Sequence, residues 1–181
     1  MNAIDYIETH HPAACPEARE WLRSLPEDTT LDQAWAICPD PTWMLWLLSK
    51  SSPTVEQGYI CADLAIGWAA DALDLAGIPH GLRDLAPITD RETAAEAVGV
   101  AVGVASDAKA AADAAWTARA AAKAAWAAET AETAADAAWV AWVAWAAARA
   151  AFCAINTGPD PVKMADQIRA RIACPYKEIE L

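Results

Sequence analysis

Apolar positions recur at helical spacing through most of the chain, and Pro, Gly and short polar turns interrupt them. The pattern predicts a short helix over Ala3 to Thr9. A second opens at Pro16, a residue suited to a first turn, and runs to about Ser24 with Trp21 and Leu22 facing inward. Pro26-Glu27-Asp28-Thr29 reads as a turn. Thr30 then caps a helix carrying Leu31, Ala34, Trp35 and Cys38, which Pro39-Asp40-Pro41 breaks. Trp43-Met44-Leu45-Trp46-Leu47-Leu48 is almost wholly apolar, so it should be buried on most sides. Ser51-Ser52-Pro53-Thr54 opens a longer helix to about Ala76, which Gly77-Ile78-Pro79 ends.

The character changes at Thr89. Thr89-Asp90-Arg91-Glu92 fits a capping box, and residues 90–157 are then dominated by alanine, the best helix former. As one rod those residues would span about 100 Å at 1.5 Å per residue, far more than a compact domain, so the rod should fold back. The expected breaks are Gly103 to Ser106 and Glu129 to Thr133, with Ser106 and Thr133 able to cap new helices. Val98 to Val104 alternates Val with Gly or Ala and could form a strand; the flanking helix signals favour a weakened helix. Gly158-Pro159-Asp160-Pro161 leads into a closing helix to about Ala173, stopped by Pro175.

A helical wheel explains the alanine. Lys109, Asp113, Trp116, Arg119 and Lys123 share one side, opposite a ridge of Ala111, Ala114, Ala118, Ala121 and Ala125. The next segment repeats the arrangement. Val140, Ala144, Ala147, Ala151 and Ala154 form its ridge, and Trp139, Trp142, Trp145, Arg149 and Phe152 lie opposite. A ridge with no side chain beyond Cβ lets helices approach at the short end of the usual ~8–10 Å. The alanines should therefore form seams, and the Trp stripe should pack under the first-half helices. The resulting fold class is all-α, a compact multi-helix array in one domain over residues 1–181. It comprises an acidic Trp-rich part (1–89), Ala-rich helices (90–157) and a closing helix (158–181).

Charge adds a partner class. The formal net charge is −12. Residues 1–89 hold thirteen acidic and four basic side chains, so the acidity is concentrated there. Such a field repels phosphate backbones and argues against nucleic acid, while it attracts a basic protein partner. A homo-oligomer is compatible with the same pattern. The longest uncharged run of the alanine region, Ala137 to Ala148, is twelve residues against the roughly 20 of a membrane span. The N-terminus has neither basic nor apolar signal features. Five scattered cysteines without a CxxC pair suit reduced thiols in the cytoplasm.

Candidate chemistry is sparse. His10, His11 and Cys15 lack an evident fourth metal ligand, so no metal or cofactor is expected. Asp63, Asp71 and Asp74 share one helix but have no nucleophile, glycine-rich loop or His–carboxylate pattern beside them. They read as a solvated face, and no catalytic residue is assigned. Trp139, Trp142 and Trp145 with Arg149 could stack a planar ligand such as a nucleobase, although helically spaced aromatics are more often core. The best partner-binding residues are two acidic groups, Glu27, Asp28 and Asp32, and Glu129, Glu132 and Asp136.

The order of elements also points to a family. Cys15-Pro16-Glu17-Ala18-Arg19-Glu20-Trp21-Leu22 is followed by Leu31-Asp32-Gln33-Ala34-Trp35 and Trp43-Met44-Leu45-Trp46-Leu47. A Cys61-centred helix, the Ala/Trp tract and Ala165-Asp166-Gln167-Ile168-Arg169 come next. This order resembles the alanine-rich immunity proteins of bacterial polymorphic toxin systems, which also occur in phage genomes. The chain departs from that pattern at Thr42, where Asp is frequent, and in the degenerate Asp84-Leu85-Ala86-Pro87-Ile88 segment. The resemblance implies a cytoplasmic, non-enzymatic protein that binds and neutralises a toxin or effector. The alternative is a phage counter-defence protein that sequesters a nucleotide-like signal at the Trp/Arg group.

Overall fold

The computed structural model describes residues 1–107, 120–128, 143, 146, 149–150, 153–156 and 158–176. The chain is all-α, and no strand occurs among the described residues. Helix α1 spans Ala3–His10, and Asn2 caps it by accepting from Asp5 N at 2.8 Å. Helix α2 spans Pro16–Ser24 with Pro16 in its first turn, and α3 spans Leu31–Ile37. Thr30 and Gln33 form a reciprocal capping box on α3, so two orphan amides of the first turn are satisfied locally. Helix α4, Pro41–Leu48, starts on Asp40, whose carboxylate accepts from Thr42 N at 2.7 Å.

The long helix α5, Val55–Leu75, is central and opens on a second capping box, Thr54 with Gln57. It ends because Gly77 takes φ +66°, a left-handed turn that a Cβ would disfavour. Ile78 N then reaches Leu73 O at 2.9 Å and Gly77 N reaches Asp74 O at 3.0 Å, closing the helix's last carbonyls. A 3-10 turn at Leu82–Asp84 packs on α5 and leads to α6, Arg91–Asp107. Residues 120–128 and 153–156 are helical. The closing helix α7, Pro161–Arg171, is capped by Asp160 and packs on α4 and α5.

The core is continuous. Met44, Leu45 and Leu48 of α4 join Trp68 and Leu73 of α5 and Met164 and Ile168 of α7. Trp68 is large and fully buried, and its indole N–H donates to Gln167 Oε1 at 2.6 Å. Arg169 of α7 donates to Cys38 O at 2.6 Å, tying the closing helix to the α3–α4 junction.

Many of the fully buried residues are alanines. Ala62, Ala65, Ala69 and Ala72 of α5 are fully buried, as are Ala94, Ala97 and Ala101 of the contacting helix α6. Of the first expected ridge, Ala121 and Ala125 are described, and both are fully buried. Lys123, placed opposite them, is exposed. The remaining members, Ala111, Ala114 and Ala118, lie outside the described residues. In the second segment Val143, Ala146, Ala150 and Ala154 are buried. Of the second expected ridge only Ala154 is among the described residues; Val140, Ala144, Ala147 and Ala151 lie outside them.

Two expectations change. The helix runs unbroken through Gly103 to Ser106, so Ser106 does not open a new one. Each helix glycine costs about 1 kcal/mol relative to alanine. Buried Ala97 and Ala101, and Val98, Val100 and Val104 packed against the core, hold the helix despite that cost. The cap of α6 is Asp90, one residue after Thr89. Asp90 Oδ1 accepts from Thr93 N at 2.9 Å, and the Thr93 hydroxyl accepts from Asp90 N at 3.2 Å. The expected break at Glu129 to Thr133 lies outside the described residues.

Candidate binding surface

Helices α1 to α4 are short, and each buries only part of its surface against its neighbours. In α2, Ala18, Trp21 and Leu22 share one face at i, i+3, i+4 spacing. In α3, Leu31, Ala34 and Trp35 do the same. With Trp43, Met44 and Leu47 of α4 they enclose a cavity of about 50 Å³ whose wall is almost wholly apolar. The Trp21 and Trp43 rings lie 5.8 Å apart, tilted by 40°. Trp35 is 6% exposed, and its indole N–H finds no acceptor among the described residues. Arg19 Nε, on α2, is a second buried donor without a partner there. Burial raises the Cys38 thiol in this wall to about 11, which makes it a poor nucleophile.

The outer surface of the same helices is acidic. Residues 1–40 hold eight acidic and two basic side chains. One of the two bases, Arg23, pairs with Glu8. Glu27, Asp28 and Asp32 are all exposed and form no ion pair among the described residues. Glu27 and Asp28 lie in the turn between α2 and α3, and Asp32 lies in the first turn of α3.

Asp71 and Asp74 of α5 keep the solvated face expected for them, and Asp63 is more covered, but all three are paired with other side chains. Arg83 chelates Asp71 and Asp74, reaching Asp74 Oδ2 at 2.8 Å. Arg171 meets Asp63 at 2.5 Å, and Asp63 also accepts from Ile88 N at 2.9 Å. A His–carboxylate pair is present after all. His80 is almost fully buried and donates through Nε2 to Asp74 at 3.0 Å, while its Nδ1 accepts from Leu82 N at 3.2 Å. Both ring nitrogens are thus engaged, leaving none to take a substrate proton. Hydrogen bonds from Arg83 and then His80 hold the Asp74 carboxyl below its usual range. The sequence hid this arrangement because its partners come from the α5–α6 connection and from α7.

No group of three potential metal ligands occurs among the described residues. The His10 ring stacks on Tyr6 at 4.3 Å, and His11 sits edge-on to Trp46 at 5.8 Å. The Tyr176 hydroxyl lies 3.4 Å from His11 Nε2, so this cluster joins the two ends of the chain. Glu129, Glu132, Asp136, Trp139, Trp142 and Trp145 lie outside the described residues. Arg149 is described and exposed. Sequence reasoning missed the Trp21–Trp35–Trp43 cavity. Its only signal was a Trp on each of three successive short helices, which reads equally as core.

No helix among the described residues is long and apolar enough to cross a membrane. Compared with known proteins, the chain matches no family model, no curated protein and no solved structure.

Proposed function

We propose that the chain is a binding protein of the immunity type, which neutralises a basic toxin or effector protein in the cytoplasm through the acidic surface of α1 to α3. The observation that carries this reading is the uncompensated carboxylate group Glu27, Asp28 and Asp32, on a segment with eight acids and two bases. Unpaired like charges on one surface repel each other, and a basic partner relieves that repulsion and is steered toward it. The order of elements that resembles the alanine-rich immunity proteins supports the same function. Binding without catalysis agrees with the engaged nitrogens of His80 and with buried Cys61, whose thiol is raised to about 12.

The test is a pull-down of neighbouring-gene products with the full chain, followed by titration calorimetry of any captured protein. Affinity should fall as salt rises from 50 to 500 mM, roughly as screening shortens the Debye length. It should also fall in the triple variant Glu27→Lys, Asp28→Lys, Asp32→Lys. Affinity indifferent to both changes overturns the reading.

A further inference from the structure

We infer that the groove between α5 and α7 binds a small zwitterion of dipeptide length, its carboxylate toward Arg171 and its ammonium toward Asp71. This site is separate from the acidic surface of α1 to α3 and does not depend on it.

The groove has a bare floor. Gly67 of α5 lines a hollow of about 360 Å³, a size typical of small-molecule sites. Glycine weakens a helix interior relative to alanine, and its usual justification is a positive φ or a close approach to the backbone. Neither comes from the fold here. Gly67 is helical, and a Cβ at its position would meet no atom within 4 Å. The missing side chain instead leaves α5 backbone open to an occupant of the hollow.

The walls select that occupant by charge. Two carboxylates, Asp63 and Asp71, and two guanidinium groups, Arg83 and Arg171, line the hollow, so their charges balance. An occupant with a net charge of either sign would upset the balance, and one carrying both signs would not. The unused hydrogen-bonding groups are also of both kinds. Among the described residues Arg171 engages only Nη1, on Asp63. Gln167 of α7 gives its Oε1 to the buried Trp68 indole, and its amide N–H groups meet no acceptor among the described residues. These donors suit a carboxylate. Asp63 has both oxygens engaged, by Ile88 N and by Arg171, whereas Asp71 meets Arg83 through Oδ1 alone. Asp71 Oδ2 is the open acceptor, and it suits an ammonium group.

The adjoining hollow, about 440 Å³, shares Asp71, Arg83 and Gln167 with the first. It holds three carboxylates, Asp71, Asp74 and Asp160, to two cations, Arg83 and Lys163. That excess of negative charge places the cationic end of the occupant at Asp71 and its anionic end at Arg171. Spacing sets the length. Asp63, where Arg171 is held, and Asp71 are eight residues apart on α5, about 12 Å along the axis. A hydrogen bond of roughly 3 Å at each end leaves about 6 Å for the occupant. One extended residue covers about 3.5 Å and two about 7 Å, so a dipeptide fits and a single amino acid is too short.

The probes are alanyl-alanine, its N-acetyl and C-amide derivatives, and free alanine, each titrated into the full chain by calorimetry at neutral pH and low salt. Alanyl-alanine should bind with millimolar or better affinity, and each of the other three at least tenfold more weakly. Gly67→Leu puts a side chain into the hollow and should weaken alanyl-alanine binding at least tenfold, with the wild-type circular dichroism retained. Asp71→Asn should remove the preference for alanyl-alanine over its N-acetyl derivative, which a merely structural role for Asp71 would leave in place. Absence of alanyl-alanine binding, equal binding of either blocked derivative or of free alanine, or undiminished binding by folded Gly67→Leu overturns the inference. If Gly67→Leu fails to fold, the ranking of the four probes on the wild-type chain decides the question.

Discussion

Replacing Ala97 with Leu tests whether small side chains set the helix spacing. Ala94, Ala97 and Ala101 stand at i, i+3 and i+7 on α6, a helix in contact with α5, and all three are fully buried in the core. Leu adds three carbons at a position that has no accessible surface to receive them. Overpacking of this kind costs about 1–3 kcal/mol through off-rotamer side chains and displaced backbone. Ala95, two residues away on the same helix, is exposed and supplies the control. Leu and Ala have similar helix propensities, so Ala95→Leu should change stability by no more than about 0.5 kcal/mol. A 150–250-residue chain loses roughly 2–4 °C of Tm per kcal/mol, so Ala97→Leu should melt about 2–12 °C lower. Urea and thermal unfolding followed by circular dichroism at 222 nm measure both variants. If Ala97→Leu matches Ala95→Leu, the spacing does not depend on methyl-sized side chains. If it gains about 0.8 kcal/mol per added methylene, the contact has spare room and the reasoning is wrong.

Three further outcomes follow from local geometry. Thr54→Ala removes one half of the α5 capping box and should cost about 1 kcal/mol in urea unfolding, while Thr54→Ser should cost much less. Burial first, then the charges of His10 and Lys50, depress the His11 pKa below 6.5. The unfolded chain therefore binds the extra proton first, so the stability His11 confers is complete above pH 6.5 and declines as pH falls below it. The Tm loss between pH 7.5 and 5.5 should accordingly shrink in His11→Gln, and an unchanged loss would refute the assignment. Native thiol titration with a disulfide reagent should find exposed Cys15 fast, whereas buried Cys38 and Cys61, raised to about 11 and 12, should react only on unfolding.

Local signals placed the helices well. Pro16, Thr30, Pro41, Thr54, Gly77 and Pro161 each act within one turn of the chain, through a missing N–H, a capping hydroxyl or a left-handed φ. Such signals need no distant partner, so helix starts and stops were readable before any packing was known. The cap of α6 was off by one residue because Thr89 and Asp90 are both competent caps, and the Thr93 hydroxyl selects between them. The uninterrupted course of α6 past Gly103 was not readable, because burial in the core outweighs the local cost of glycine.

The sequence by itself determined the all-helical class, the positions of most helix ends, the buried Trp-rich α4 and the acidity of the first forty residues. These follow from composition and from interactions spanning three or four positions. Only the tertiary structure decided that Asp63, Asp71 and Asp74 are tied to Arg171, Arg83 and His80, that Trp68 meets Gln167 ninety-nine residues away, and that Trp21, Trp35 and Trp43 surround a cavity. Those outcomes depend on which helix faces are brought together. Packing settles that for the whole chain at once, and no window of neighbouring residues encodes it.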